Sequence, residues 1–219
     1  MTRLGILLSG RGSNFVAIAN NIASGKLQAE IALVISNRPE AAGIAAAQAR
    51  GLKTLVLPST GLPREVHDRA VAQALRQAGV ELVVLAGYMR LLSPWFVQQF
   101  PGKILNIHPS LLPAFPGLEA QRQALDYGVQ VSGCTVHFVD EHLDHGAIIL
   151  QKTVPVLPGD DEHALAERIL AEEHRAYSEA IAQVAAGRYR IEGRRVLLNP
   201  GVEPRQRSGE KPPLRKRLQ

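Results

Sequence analysis

The sequence has one cysteine in its 219 residues, Cys134. A single thiol excludes a disulfide framework within the chain and any four-cysteine metal site. Cys134 stands in the strand-like run 131–136, so we expect it to be a small buried residue. No apolar run of the sequence is long enough to span a membrane, and we expect no signal peptide, because strand-like residues begin at Leu4. We therefore expect a protein of the reducing cytoplasm.

The basic charge is confined to one end of the chain, although the isoelectric point of about 9.7 suggests nucleic-acid binding at first sight. Residues 188–219 carry 10 Lys and Arg against 3 Asp and Glu, and the remainder carries 15 against 17. The end of the chain is rich in Pro, Gly and Arg, a composition that cannot bury a core. We predict one folded domain over residues 1–198 and a basic, disordered tail over 199–219, with no specific nucleic-acid partner.

Strand-like and helix-like segments alternate along the body of the chain. Strands are predicted at 4–8, 30–36, 53–57, 82–85, 104–108, 131–139 and 147–156, and helices at 14–24, 42–50, 63–78, 120–127 and 162–186. This alternation predicts an α/β fold with a doubly wound, mostly parallel sheet. The last two strands have no helix between them, so they are expected to add an antiparallel edge.

A glycine-rich loop, Ser9-Gly10-Arg11-Gly12-Ser13-Asn14, joins the first strand to the first helix. Bare glycines and a helix N-terminus together favour binding of an anion. Phe15 stands where a dinucleotide fingerprint needs glycine, and no Gly-Lys-Ser/Thr follows. A single phosphate monoester is the predicted ligand. The alternative is an ordinary glycine turn in which Ser13 or Asn14 only caps the helix.

Asn106 and His108 lie two residues apart at the end of a predicted buried strand, and Pro109 and Pro113 follow them. An amide donor beside an imidazole can handle a developing oxyanion and a moving proton. The alternative is a turn-capping asparagine beside an ordinary hydrogen-bonded histidine. A second strand, ending in Val-His-Phe-Val, leads into the acidic loop 140–146, which is placed to aim Asp144 at a histidine.

The run Asn106-Ile107-His108-Pro109-Ser110-Leu111-Leu112-Pro113, with the Val-His-Phe-Val strand and its Asp-x-Gly loop, resembles the folate-dependent formyltransferases. The glycine-rich loop narrows the resemblance to the branch that acts on phosphoribosylglycinamide. The resemblance covers about residues 4–187. It implies a Rossmann-like formyltransferase domain within residues 1–198 and transfer of a formyl group from 10-formyltetrahydrofolate, as co-substrate, to the glycine amine of 5-phosphoribosylglycinamide in purine biosynthesis.

The resemblance also implies roles for individual residues. Asn106 would donate a hydrogen bond to the tetrahedral oxyanion, His108 would act as general acid or as a stabilising imidazolium, and Asp144 would favour the charged histidine and position a water. The implied ribonucleotide-binding residues are Gly12, Ser13, Asn14 and Glu173. The implied folate-binding residues are Arg64, Met89, Arg90, Leu91, Leu92 and Asn106. No metal is implied.

Several alternatives stay open at this point. A catalytic metal is not predicted, because His108, His137, His142, Asp144 and His145 show no H-E-x-x-H or Cys/His spacing. A methionyl-tRNA formyltransferase would need a large second domain, and a formyltetrahydrofolate hydrolase an extra N-terminal domain. A non-catalytic folate- or nucleotide-binding module would be expected to lack the Asn-His-Asp set.

Four residues depart from the usual family pattern: Glu119, Gln121, His142 and His145. The oligomeric state stays open between monomer and homodimer.

Overall fold

The computed structural model describes residues 1–198, and the predicted tail, 199–219, lies outside the described residues. Within residues 1–198 the chain forms nine strands and six helices. The strands are β1 (Thr2–Leu8), β2 (Ala29–Ser36), β3 (Thr54–Val56), β4 (Leu82–Leu85), β5 (Ile104–His108), β6 (Val131–Phe138), β7 (Ile148–Pro155), β8 (Tyr189–Glu192) and β9 (Arg195–Leu198). The helices are α1 (Ser13–Ala23), α2 (Ala42–Gln48), α3 (Arg64–Gln77), α4 (Pro94–Gln99), α5 (Ala120–Tyr127) and α6 (Glu162–Ala185).

All nine strands form one sheet in the order β3-β2-β1-β4-β5-β6-β7-β9-β8. Strands β1 to β5 pair in parallel, and β6 runs antiparallel to β5 and β7. The chain leaves β1 for β2 and β3 on one side and then crosses to β4 on the other. Loops diverge at the carboxyl ends of β1 and β4 for this reason, which opens a crevice of the kind where open α/β sheets bind ligands.

The sheet is covered by helices on both faces, which confirms the doubly wound prediction. Successive residues of a strand point to opposite faces, so Ile6 and Leu8 join the core cluster that includes α1 and α6, and Leu7 joins the cluster of α3 and α4. The central strands are apolar throughout because both faces are buried. No helix among residues 1–198 is both long and apolar enough to cross a membrane.

Helix α6 fixes the ends of the two central strands through one buried side chain. Tyr177 is fully buried, and its hydroxyl donates to the carbonyl oxygens of Leu85, at 2.9 Å, and Leu105, at 3.0 Å. Leu85 is the last residue of β4, and Leu105 directly precedes Asn106 in β5. The helix therefore positions the loop after β4 and the Asn106 side of β5 together.

Two features differ from the sequence-based prediction. Helix α4 was not predicted, although Ser93 caps it by accepting a hydrogen bond from Phe96 N at 3.2 Å and Pro94 occupies the first turn. Strands β8 and β9 form a hairpin beyond the predicted last helix, where dense charge hides the strand alternation. Because β9 pairs in parallel with β7 and β8 pairs antiparallel with β9, β8 forms the edge of the sheet. The sheet therefore has the predicted antiparallel edge, although β8 forms that edge and the antiparallel pair of β6 and β7 lies inside the sheet.

Cys134 lies in β6 and is fully buried, as predicted. Burial is the main cause that raises the pKa of its thiol to about 12. The thiol is therefore protonated and unreactive at neutral pH.

Candidate active site

Asn106 and His137 face each other across the antiparallel pair of β5 and β6. His137 Nδ1 lies 2.8 Å from the carbonyl oxygen of Phe138, which can only accept, so Nδ1 carries a proton and donates it. Burial lowers the pKa of His137, outweighing the opposite effects of the Phe138 bond and of Asp144, and the ring is neutral. Its Nε2 is then an acceptor for Asn106 Nδ2, 3.2 Å away. This bond fixes the amide orientation and leaves the second Nδ2 hydrogen free for a ligand.

His108 and Asp144 form a buried pair beside that amide. Asp144 Oδ2 lies 3.4 Å from His108 Nδ1, and Asp144 Oδ1 lies 3.9 Å from His137 Nε2. His108 Nε2 lies 2.8 Å from the carbonyl oxygen of Phe115. Both nitrogens of His108 thus face acceptors, an arrangement that the doubly protonated imidazolium satisfies. The structure brings the predicted Asn106, His108 and Asp144 together, and their catalytic roles stay predictions.

The Asp144 carboxylate is held by the backbone around it. Asp144 has φ 48°, in the left-handed region that few residues other than glycine adopt. Its Oδ2 accepts a hydrogen bond from Gly117 N at 2.8 Å, which ties the acidic loop to the loop after β5. At Gly146 a side chain would meet the Phe138 carbonyl, so the loop can close there only with glycine. The carboxylate is therefore preorganised between the two histidines.

The predicted anion loop follows β1 and starts α1 at Ser13. Gly12 has φ 72° and no side-chain cap, so the first backbone N–H groups of α1 have no capping side chain. Gly43, at the start of α2, packs close enough that a Cβ on Gly12 would lie 3.0 Å from its Cα. Its N–H also donates to the Gly10 carbonyl at 3.0 Å. Gly43 was not predicted to belong to the site. The signal that could have found it is a glycine at the second position of a helix, since glycine inside a helix often indicates close packing.

Asn14 and Glu173 meet although 159 residues separate them in sequence. Asn14 Nδ2 donates to Glu173 Oε2 at 2.8 Å, and Asn14 Oδ1 is buried without a partner among the described residues. Glu173 is 7% exposed, and burial raises the pKa of its carboxyl, against the lowering effect of the Asn14 bond. A buried carboxylate beside an unpartnered amide oxygen suits a polar ligand such as a ribonucleotide.

Ser9 and Asn37 link the anion loop to the predicted folate loop, and neither was predicted. Ser9 Oγ donates to Asn37 Oδ1 at 2.6 Å and accepts from Met89 N at 2.8 Å. Asn37 Nδ2 donates to Ser59 Oγ at 3.0 Å. Their position as polar residues at the carboxyl ends of β1 and β2 was the available signal. The loops after the first four strands are thus joined by one hydrogen-bond chain.

The predicted folate-binding residues form an open rim. Met89 and Leu91 are 63% and 52% exposed, and Leu92 packs partly against the core. The Arg90 guanidinium donates to the carbonyl oxygens of Ser59, at 3.4 Å, and Leu62, at 3.0 Å, so this side chain supports the neighbouring loop. Arg64 is exposed as the first residue of α3, and its side chain makes no hydrogen bond or ion pair within residues 1–198. The rim offers apolar side chains and, at residues 90–92, backbone groups without a hydrogen bond among the described residues, as a flat heterocycle requires.

The far end of this rim is anchored by a buried carboxylate. Asp68 Oδ2 accepts from Ser93 N at 2.6 Å. Burial tends to raise the pKa of Asp68, but the adjacent His67 imidazole, with Nδ1 3.8 Å from Oδ1, and the hydrogen bond from Ser93 outweigh it and lower the pKa. The ionised carboxylate therefore holds the end of the loop where α4 begins.

The fold and these contacts define an α/β protein with an Asn-His-Asp centre beside the switch point of a doubly wound sheet. The model of the family described as Formyl transferase matches residues 2–181. The chain belongs to that family.

Known relatives agree with this assignment. Phosphoribosylglycinamide formyltransferase of Escherichia coli (strain K12) is 41% identical over 187 residues, covering 85% of this chain and 88% of the relative. The crystal structure of glycinamide ribonucleotide transformylase 1 from Symbiobacterium toebii has a TM-score of 0.89 and 53% identity, covering 91% of this chain and 94% of that one. The trifunctional purine biosynthetic protein adenosine-3 of Drosophila pseudoobscura pseudoobscura is 48% identical over 191 residues. The match covers 86% of this chain but only 14% of that longer relative.

Proposed function

We propose that this protein transfers the formyl group of 10-formyltetrahydrofolate to the glycine amine of 5-phosphoribosylglycinamide, a step of purine biosynthesis. The observation that carries the proposal is the contiguous set of Asn106, His108 and Asp144 at the edge of the crevice. The names of the relatives support the choice of substrates. The buried polar pair of Asn14 and Glu173 supports a ribonucleotide as acceptor.

The amide of Asn106 is suited to stabilise the oxyanion. The substrate amine attacks the formyl carbon and gives a tetrahedral intermediate with negative charge on the formyl oxygen. One Nδ2 hydrogen of Asn106 is bonded to His137, and the other is free to donate to that oxygen. A donor fixed before the reaction typically contributes about 3–4 kcal/mol of transition-state stabilisation.

His108 is suited to supply positive charge and a proton. Its Nδ1 lies 3.4 Å from Asp144, longer than a normal hydrogen bond, so the Nδ1 proton can be shared with the substrate. The carboxylate stabilises the imidazolium while the oxyanion forms. The proton lost by the amine must reach the leaving folate nitrogen, and His108 with a water held by Asp144 provides acid and base groups for that transfer.

The two substrates are placed on different sides of this centre. The phosphate would bind the bare backbone at Gly12 and Ser13, and the other end of the ribonucleotide would reach Asn14 and Glu173. The folate would lie along residues 89–92, with its formyl group next to Asn106. Ser9 belongs to the anion loop and accepts a hydrogen bond from Met89 N in the folate loop, so the two substrate sites are held at a fixed separation.

A spectrophotometric assay of folate product tests the proposal on the full chain. We expect turnover that requires both 10-formyltetrahydrofolate and 5-phosphoribosylglycinamide and that His108→Ala lowers by roughly 10²-fold or more. His163→Ala is the matched control, because His163 is an exposed histidine at the start of α6. Equal turnover without the acceptor would instead identify a hydrolase. Folate binding without turnover would identify a binding module.

A further inference from the structure

The acidic loop that carries Asp144 also holds a separate cluster of metal-ligand side chains: Asp140, His142 and His145. One ligand atom from each lies within 4.8 Å of the other two. His145 Nδ1 lies 2.7 Å from Asp140 Oδ2, and His142 Nδ1 lies 3.9 Å from Asp140 Oδ1. Within the described residues, none of the three is hydrogen-bonded to Asn106 or His108.

Two imidazoles and one carboxylate suit a first-row transition metal better than Mg²⁺ or Ca²⁺, which prefer oxygen-only sites. In a tetrahedral zinc site the ligand atoms lie about 3.4 Å apart, as bond lengths of about 2.0–2.1 Å require. Asp140 and His145 therefore have to separate slightly, and His142 has to approach. His142 can do so because its side chain is 76% exposed, and a fourth position stays open for water.

We propose that Asp140, His142 and His145 bind one divalent transition-metal ion, with Zn²⁺ as the best fit. Asp140 and His145 lie on either side of Asp144 in the chain, so a shared ion closes a ring around that residue. The two ends of the loop are already joined by the bond from Phe138 N to the Ala147 carbonyl, at 2.9 Å. The ion would therefore fix the part of the loop that carries Asp144.

The binding half of the proposal is tested by calorimetric titration of the untagged full chain with Zn²⁺, and by the visible absorption of a Co²⁺ complex. We expect one ion per chain and a Kd in the micromolar range or tighter. His142→Ala and His145→Ala should each weaken binding at least about tenfold, since each removes one of three protein ligands. His163→Ala should bind like the parent, because the His163 imidazole lies beside Glu167 on the exposed face of α6 and away from Asp140, His142 and His145 in the chain. A Kd weaker than millimolar, or equal affinity in all four proteins, would overturn the site.

The loop half is tested by amide hydrogen exchange of a peptide that covers residues 140–146. Zn²⁺ should slow exchange there in the parent and not in His145→Ala, whereas Mg²⁺ should slow it in neither. Tight binding with unchanged exchange would overturn the clamp and leave a surface site only. Neither experiment measures formyl transfer, so their outcome does not depend on the proposed function.

Discussion

Asn106, His108 and Asp144 find fixed partners inside the protein, whereas Met89, Leu91 and Arg64 are exposed at the rim of the same crevice. The centre is held by strand pairing, by the neutral His137 and by the Gly117 backbone. The rim is held by hydrogen bonds from Met89 N and from the Arg90 guanidinium, and its exposed apolar side chains are left for a ligand to cover. A fixed donor stabilises a transition state without reorganising, so changes at the centre should affect kcat and changes at the rim should affect KM.

The largest effect is expected from the His108–Asp144 pair. His108→Ala and Asp144→Asn should each lower kcat by roughly 10²-fold or more, because both groups act mainly in the transition state. The double variant should be scarcely slower than His108→Ala, since residues that act as one unit are not additive. Steady-state kinetics of the four proteins measure this cycle. Asp126→Asn, an exposed acid on α5, is the control, and fully additive losses would separate Asp144 from His108.

The next effect concerns the positioning of Asn106 by His137. His137→Ala should lower kcat about tenfold with little change in KM, because the amide loses its fixed orientation and misplaced groups are costly. His137→Gln should recover part of the loss, as its side-chain oxygen can accept from Asn106. Thermal unfolding of both variants separates positioning from stability. Equal kcat in the two variants would show that the hydrogen bond is irrelevant.

At the ribonucleotide side, Glu173→Gln should raise the KM for the ribonucleotide about tenfold, the usual order for a lost charge-assisted hydrogen bond.

The same variant should change the pH dependence of stability. Burial raises the pKa of the Glu173 carboxyl in the folded state, so ionisation costs stability as pH rises through the folded pKa. Glutamine stays neutral, so the variant should match the parent at acidic pH and become more stable at higher pH, by about 2–4 °C for each kcal/mol recovered. Melting curves at pH 4 and pH 8 measure this, and a variant less stable at pH 8 would contradict it.

A smaller effect is expected at Ser13, the first residue of α1. Ser13→Ala removes one hydroxyl donor to a charged phosphate and should raise the KM for the ribonucleotide about fivefold, within the range for one such bond. The KM for the folate should not change. Ser24→Ala, at the other end of the same helix, is the matched control. Gly12 is unsuitable for this test for two reasons. A side chain at this position would crowd Gly43, and its backbone would have to keep a φ of 72°, which is strained for any residue other than glycine.

The smallest effect belongs to the rim. Arg64→Ala should raise the KM for the folate by about threefold or less and leave kcat unchanged, because exposed charge contacts contribute at most about 1 kcal/mol. Arg69→Ala is the control, because the Arg69 guanidinium pairs with Glu65 on the same helix. A tenfold change in kcat for Arg64→Ala would mean that the rim closes over the centre in the reaction.

The residues of the centre were predictable because each stands in a short motif. Asn106 and His108 share one strand end, and Asp144 follows the next strand. Sequence reasoning did not supply the partner of His137, because a cross-strand hydrogen bond requires the register of β5 against β6. It also missed Ser9 and Asn37, which meet only when the ends of two parallel strands are aligned at one sheet edge.

Local sequence patterns are enough to predict the alternation of strands and helices, the glycine turns and the pairing of amide with imidazole, because these depend on neighbours a few residues apart. The tertiary structure alone decided which distant residues touch, such as Asn14 with Glu173 and Tyr177 with the ends of β4 and β5. It also decided that β9 adds to β7, so that β8 forms the antiparallel edge of the sheet. Such contacts depend on how whole elements pack, and the sequence encodes that packing only through the buried surface of the complete fold.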